Sequence, residues 1–150
     1  MTALQSYHLT FARFSPSLSV HSFSASEAVN TAYCVEITAT STDSSLPLSS
    51  YLNQRAAFEI RPQEGLLSEV VSEFGSASDD PPAKQWQGII TSCEKLSVSK
   101  DETVYRFVLE PRFAAMKHFQ TSRLFQHQTV PDIVAAVFKH HGFSGVDYRF

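Results

Sequence analysis

The feature that most constrains the fold is an alternation of apolar and polar residues with a period of two. The clearest run is Thr31–Thr40, where Tyr33, Val35, Ile37 and Ala39 fall on one side. Successive side chains of a strand point to opposite faces, so this pattern predicts a strand with one buried face. Similar runs occur at Gln5–Arg13, Leu18–Ser24, Arg55–Arg61, Trp86–Leu96 and Glu102–Arg112. We therefore expect a mainly β (α+β) chain with an antiparallel barrel or sandwich of about six to seven strands.

Two segments between these runs are predicted differently. Ser41–Ser50 is rich in Ser, Thr, Asp and Pro and is expected to form a loop. Leu66–Phe74 fits a strand or a short helix, and Gly75–Ala83 carries turn-forming residues. The sequence leaves the conformation of 62–84 open.

The pattern changes to helical near Thr129. Thr129 and Asp132 have the spacing of a capping box, and Pro131 is tolerated in a first helical turn. The apolar run 133–138 follows, and Gly142 suits the left-handed position after a helix end. A single helix near 130–141 is expected after the strands.

Length and charge limit the classes of function. A chain of 150 residues suits one domain with a real core. The net charge is −3, which gives no general attraction to nucleic acid. We expect no membrane anchor and no secretory leader, because no apolar run approaches the length of a membrane span and the first residues lack a basic and apolar leader pattern. Cys34 and Cys93 are expected to be two separate buried thiols of a reducing compartment.

Catalytic motifs are missing from the sequence. It contains no glycine-rich phosphate loop, no nucleophile elbow and no H-E-x-x-H pattern. His140 and His141 are adjacent, so on a helix their side chains diverge by about 100° and do not share an ion easily. Trp86 is compatible with a ligand platform, although packing is favoured. We expect no enzyme activity, no catalytic residue, no cofactor and no metal.

The C-terminal third carries a family pattern. It consists of Val104–Pro111, then S-R-L-F-Q at 122–126, then Q-T-V-P-D-I at 128–133, then His141-Gly142-Phe143 and Asp147-Tyr148. This resembles the N-terminal region of VgrG, the spike protein of type VI secretion, which is related to contractile phage tail hubs. Upstream, Trp86–Ser92 and Phe23–Val29 are similar to two further segments of the family. The marked residues are Gly88, Tyr105, Leu109, Pro111, Ser122, Arg123, Phe125, Gln126, Thr129, Val130, Pro131, Asp132, Ile133, Gly142 and Tyr148.

The resemblance implies a mechanical function. Residues 1–112 would form a β-barrel of the hub type, and 113–150 a linker and the start of an α/β insertion domain in a truncated chain. The full-length protein would be a homotrimer that caps the hexameric Hcp tube protein, with effectors or adaptors as possible partners. Assembly would occur in the bacterial cytoplasm, and sheath contraction would then export the spike without a signal peptide.

Two other functions stay open at this stage. One is a prophage contractile-tail baseplate hub, and the other is a monomeric β-barrel module that binds a small ligand. Arg123 also has three readings, namely an exposed surface residue, a buried ion pair within the subunit, or a contact with another subunit or the tube.

Overall fold

The strands form one antiparallel sheet. A computed structural model of the chain describes residues 5–62, 84–145 and 147–150. The sheet has six strands in the order β1-β4-β5-β6-β3-β2, and every neighbouring pair is antiparallel. The strands are β1 (Gln5–Phe11), β2 (Ser19–Ala28), β3 (Thr31–Ser41), β4 (Arg55–Pro62), β5 (Lys84–Val98) and β6 (Thr103–Glu110). The helices are α1 (Leu48–Tyr51), a 3₁₀ helix (Arg112–His118) and α2 (Val130–His140).

The alternating positions of β3 and β6 make the centre of the core. Val35, Ile37 and Ala39 are fully buried on β3. Tyr105, Phe107 and Leu109 are equally buried on β6, and the register pairs the two sets. The period of two in the sequence therefore marks the inner face of the sheet, where apolar area is removed from water.

The sheet curls until its two edge strands meet through side chains. β1 and β2 lie at opposite ends of the strand order. The rings of Tyr7 on β1 and Phe23 on β2 nevertheless lie 5.3 Å apart between centroids. Phe23 also packs 5.0 Å from Phe58 on β4. This half-barrel, followed by a C-terminal helix, confirms the predicted fold class.

A short helix covers one end of the curled sheet. The loop predicted for Ser41–Ser50 gives way at Leu48 to α1, which was not predicted. Tyr51 at its end is buried, with its ring in edge contact with Phe11 and Phe107. Leu48 and Tyr51 share one side of a helical turn, so four residues are enough to place both on the core. So short a helix has too few turns to show a sequence period.

The chain divides into two compact units, Met1–Ala114 and Ala115–Phe150. The second unit contains α2, none of whose residues is buried. Phe138 on α2 contacts Phe143 and Tyr148, with centroids 5.5 and 4.8 Å away. The domain prediction of 1–112 and 113–150 as barrel and insertion start stays a prediction about the whole protein.

Some predictions concern residues beyond the described ranges. The strand-or-helix alternative at Leu66–Phe74 and the turn at Gly75–Ala83 lie outside them. Cys34 and Cys93 are not joined in a disulfide, as expected, and both are half-buried rather than buried. Among the helices of the described ranges, none has the length and apolar character needed to cross a membrane.

Candidate functional site

Three of the marked residues lie on β6 and in the turn that follows it. Tyr105 and Leu109 are buried on β6. The Tyr105 hydroxyl donates a 2.7 Å hydrogen bond to the carbonyl of Asp43, which ties the loop after β3 to the core. Pro111 directly follows β6, and its carbonyl accepts the Ala114 amide at 2.8 Å as the 3₁₀ helix begins. These residues therefore support the fold of the first unit.

Gly88 permits a close approach between β5 and the end of β6. A Cβ atom at this position would lie 2.1 Å from the carbonyl oxygen of Glu110 and 2.9 Å from the Tyr33 hydroxyl. No side chain fits at those distances, so the residue type is dictated by its neighbours. The Tyr33 hydroxyl donates to the carbonyl of Gln87, the residue before the glycine.

A polar cluster joins β2 to β5 at the end of the sheet opposite α1. The Glu27 carboxylate accepts a hydrogen bond from the Trp86 indole N–H and pairs with the Lys84 ammonium at 3.0 Å. The same ammonium lies 4.6 Å from the Trp86 ring centroid, a cation–π distance. The hydrogen bonds from Lys84 and Trp86 hold the pKa of Glu27 below its ordinary value.

This cluster was missed as a site by sequence reasoning. Glu27 lies within Phe23–Val29, a segment marked only for its family resemblance. Trp86 is buried, so its predicted role in packing, which the sequence favoured over a role as a ligand platform, is confirmed. Its partner is 59 residues away in sequence, so no local pattern joins them.

Within the described ranges, the far half of β5 is an edge: no strand pairs with it on its β4 side, although the Cys93 thiol and the Lys95 ammonium bond to carbonyls of α1 and the loop before it. Its pairing with β4 stops at Ile89, and the amide and carbonyl of Ile90 bond to Gln54 and Asn53. Beyond Ile90, β6 is the only strand paired with β5 within the described ranges. Leu96 and Val98 near the end of this edge are 47% and 60% exposed. An open edge with exposed apolar side chains is a surface suited to association.

The marked segment 122–126 lies in the second unit, between the 3₁₀ helix and α2. Ser122, Arg123, Leu124 and Gln126 are exposed, and Phe125 is half-buried. Arg123 and Phe125 line a cavity together with His140 and His141 of the α2 end. The exposure of Arg123 argues against a buried ion pair within this unit, while an exposed surface residue and a contact with another subunit or the tube both stay predictions.

The remaining marked residues build the ends of α2. Thr129 and Asp132 form the predicted capping box, in which each side chain bonds the backbone of the other. Val130 and Pro131 are exposed in the first turn, and Ile133 is half-buried. The helix end is also as predicted: Gly142 has a φ of 75°, and the Phe143 amide donates to the Phe138 carbonyl at 3.0 Å. Tyr148 packs on Phe138.

The possible metal ligands are not gathered into one cluster in the described part of the chain. No three His, Cys, Asp or Glu side chains within 5–62, 84–145 and 147–150 are grouped so as to hold an ion. The six histidines are spread over both units.

Comparison with known proteins identifies the architecture. The family described as phage tail baseplate hub (GPD) matches residues 26–150. The chain belongs to this hub family. Its VgrG-like character is confirmed by Pseudomonas aeruginosa relatives, among them the type VI secretion system spike protein VgrG4b, 29% identical over 133 residues. That match covers 89% of the chain and 14% of the relative. The spike protein VgrG5 is 36% identical over 70 residues, covering 47% of the chain and 9% of that relative.

A solved structure supports the same hub assignment. The E. coli c3393 protein is described as a type VI secretion component with structural similarity to the T4 bacteriophage tail proteins gp27 and gp5. It matches with a TM-score of 0.71 and 27% identity, over 92% of the chain and 33% of the E. coli chain. The hub chain thus spans a small part of the length of the relatives it matches.

Proposed function

We propose that this chain is a structural part of a type VI secretion spike, acting as the hub that joins the spike to the tube. The observation that carries the proposal is the likeness of nearly the whole chain to the E. coli secretion component. The role is mechanical and needs no turnover. Rigid packing of aromatic side chains across the curled sheet suits a part that transmits force.

Association through sheet edges would complete such a hub. Three copies around an axis would bury the open edge of β5 together with Leu96 and Val98. Head-to-tail contacts that close into a ring use two different surfaces of each subunit, so the β5 edge of one copy would meet a different surface of the next copy. The trimer would present a pseudo-sixfold ring to the hexameric Hcp tube, and the spike would leave the cell with its effectors.

The test uses the complete gene product that contains this chain. Light scattering should give the mass of three copies, and the trimer should co-sediment with the Hcp-type protein of the same genome. Leu96→Asp should weaken trimer formation at least tenfold, since an exposed carboxylate would enter an apolar contact. Val29→Asp is the matched control. Val29 is 90% exposed in the β2–β3 turn, which lies at the end of the sheet opposite Leu96. A gene product that stays monomeric and does not co-sediment with the tube protein would refute the proposal.

A prophage tail hub is the second candidate, since the matching family is that of phage tail baseplate hubs. The two candidates differ in the tube protein they meet. Binding to a phage tail tube protein encoded beside this gene, without binding to an Hcp-type hexamer, would favour the phage function.

A further inference from the structure

The second unit contains a cavity lined by one arginine and two histidines, whereas the β5 edge of the proposed hub contact belongs to the first unit. The cavity has a volume of about 270 Å³. Its polar groups come from Thr121, Arg123, His140 and His141, while Phe119 and Phe125 supply aromatic walls. All of these residues lie within Ala115–Phe150, so the cavity belongs to one compact unit.

The charges of this unit favour an anion. Residues 115–150 carry four Lys or Arg side chains against two carboxylates, Asp132 and Asp147. Both carboxylates are engaged in local turns. Asp132 accepts from the Thr129 amide at 3.3 Å, and Asp147 accepts from the Ser144 amide and hydroxyl at 2.6 and 2.9 Å. Neither lines the cavity.

Arg123 is the strongest donor at the cavity. Its guanidinium has no hydrogen-bond or ion-pair partner within the ranges that the structure describes. Arginine presents a planar fork of N–H donors that matches the two oxygens of a carboxylate. The imidazoles of His140 and His141 and the Thr121 hydroxyl add further donors beside it.

We propose that this cavity binds an acidic segment of a partner protein, with one Asp or Glu carboxylate on Arg123 and a neighbouring apolar side chain against Phe119 and Phe125. The aromatic walls favour a peptide over a free inorganic anion, because a small hydrated ion gains nothing from apolar contact. Phe119 is 62% exposed, so its ring is available for such burial. The proposal stands independently of the trimer, since the cavity lies within a single chain.

The test is a titration of the 150-residue chain with the synthetic peptide acetyl-Phe-Asp-Asp-Leu-amide, followed by calorimetry and by NMR shifts of the His140 and His141 rings. Arg123→Ala should weaken binding at least about tenfold, and Arg123→Lys by less, because charge is kept while the fork is lost. Arg149→Ala is the matched control, since this exposed arginine lies outside the cavity lining, and should change affinity by less than about twofold. Unchanged far-ultraviolet dichroism would show that the variants fold.

Two further probes define the outcome. The same peptide with Asn in place of Asp should bind at least tenfold more weakly. Raised salt should weaken the binding of the acidic peptide, because it screens the attraction between the charges. Equal binding of the Asn and Asp peptides would overturn the proposal. So would tight binding of inorganic phosphate without binding of the peptide, or an Arg149→Ala effect as large as that of Arg123→Ala.

Discussion

The ring of Tyr7 on the first strand lies 5.3 Å from the ring of Phe23 on the strand at the other edge of the sheet. Aromatic contact thus brings together two edges that share no ladder within the described ranges. Phe23 is the centre of this contact, because its ring centroid also lies 5.0 Å from that of Phe58 and 6.4 Å from that of Trp86.

Replacing Phe23 by Ala should therefore loosen the half-barrel. We expect a loss of about 2–4 kcal/mol in the free energy of unfolding, near or below the range for a fully buried phenylalanine because Phe23 is half-buried. Urea unfolding followed by the fluorescence of Trp86, the one tryptophan, reports on this unit alone. Val29→Ala, at a 90% exposed residue, should change stability by less than about 0.5 kcal/mol. Equal losses of stability in the two variants would contradict the role of Phe23 in holding the two sheet edges together.

Gly88→Ala tests the close approach of β5 to Glu110. The added methyl would lie 2.1 Å from the Glu110 carbonyl oxygen, so backbone must shift, at a cost of about 2–3 kcal/mol. Gly145→Ala is the matched control, since a Cβ there meets no atom within 4 Å. Urea midpoints of the two variants decide the matter, and a Gly88 variant as stable as the Gly145 variant would refute the constraint.

Glu27 should make the stability of the first unit depend on pH. Hydrogen bonds from Lys84 and Trp86 lower its pKa from the ordinary 4.5, so the folded protein favours the charged form. The stabilisation is complete above the unfolded pKa and is lost as the pH falls through the lower folded pKa. Glu27→Gln should unfold more readily at pH 7, and its difference from the parent should shrink below about pH 4.

The matched control for this pH effect is Glu102→Gln. Glu102 is an exposed glutamate in the β5–β6 turn, where its backbone amide and carbonyl bond to Ser99. Thermal unfolding from pH 3 to 7 should show a pH-dependent difference in melting temperature from the parent protein for the Glu27 variant alone. A difference of constant size across this range would count against the assigned pKa shift.

Thr129→Ala should fray the start of α2. It removes the side chain that accepts the Asp132 amide, at a cost of about 1 kcal/mol in helix stability. Amide hydrogen exchange in 130–134 should then be about fivefold faster. Thr129→Ser keeps the accepting hydroxyl and should leave exchange nearly unchanged. Equal exchange in both variants would show that the capping box does not hold the helix end.

The predicted strands and helix follow from local patterns. The alternation at Thr31–Thr40 identified the buried face of β3, and the Thr129–Asp132 spacing identified the start of α2, because each signal lies within a few residues. α1 was missed because four residues carry no period. The family motif marked Arg123 and Phe125, but their shared cavity with His140 and His141 depends on how the segment meets the helix end.

By itself, the sequence determined which faces of the strands are apolar, where the last helix begins and ends, and which family the chain resembles. Only the tertiary structure decided that β1 pairs with β4, that Phe23 meets Tyr7, and that Glu27 bonds Trp86. The physical reason is that alternation specifies the side of a strand that seeks burial, whereas the neighbour of a strand is chosen by the packing of residues far apart in the chain.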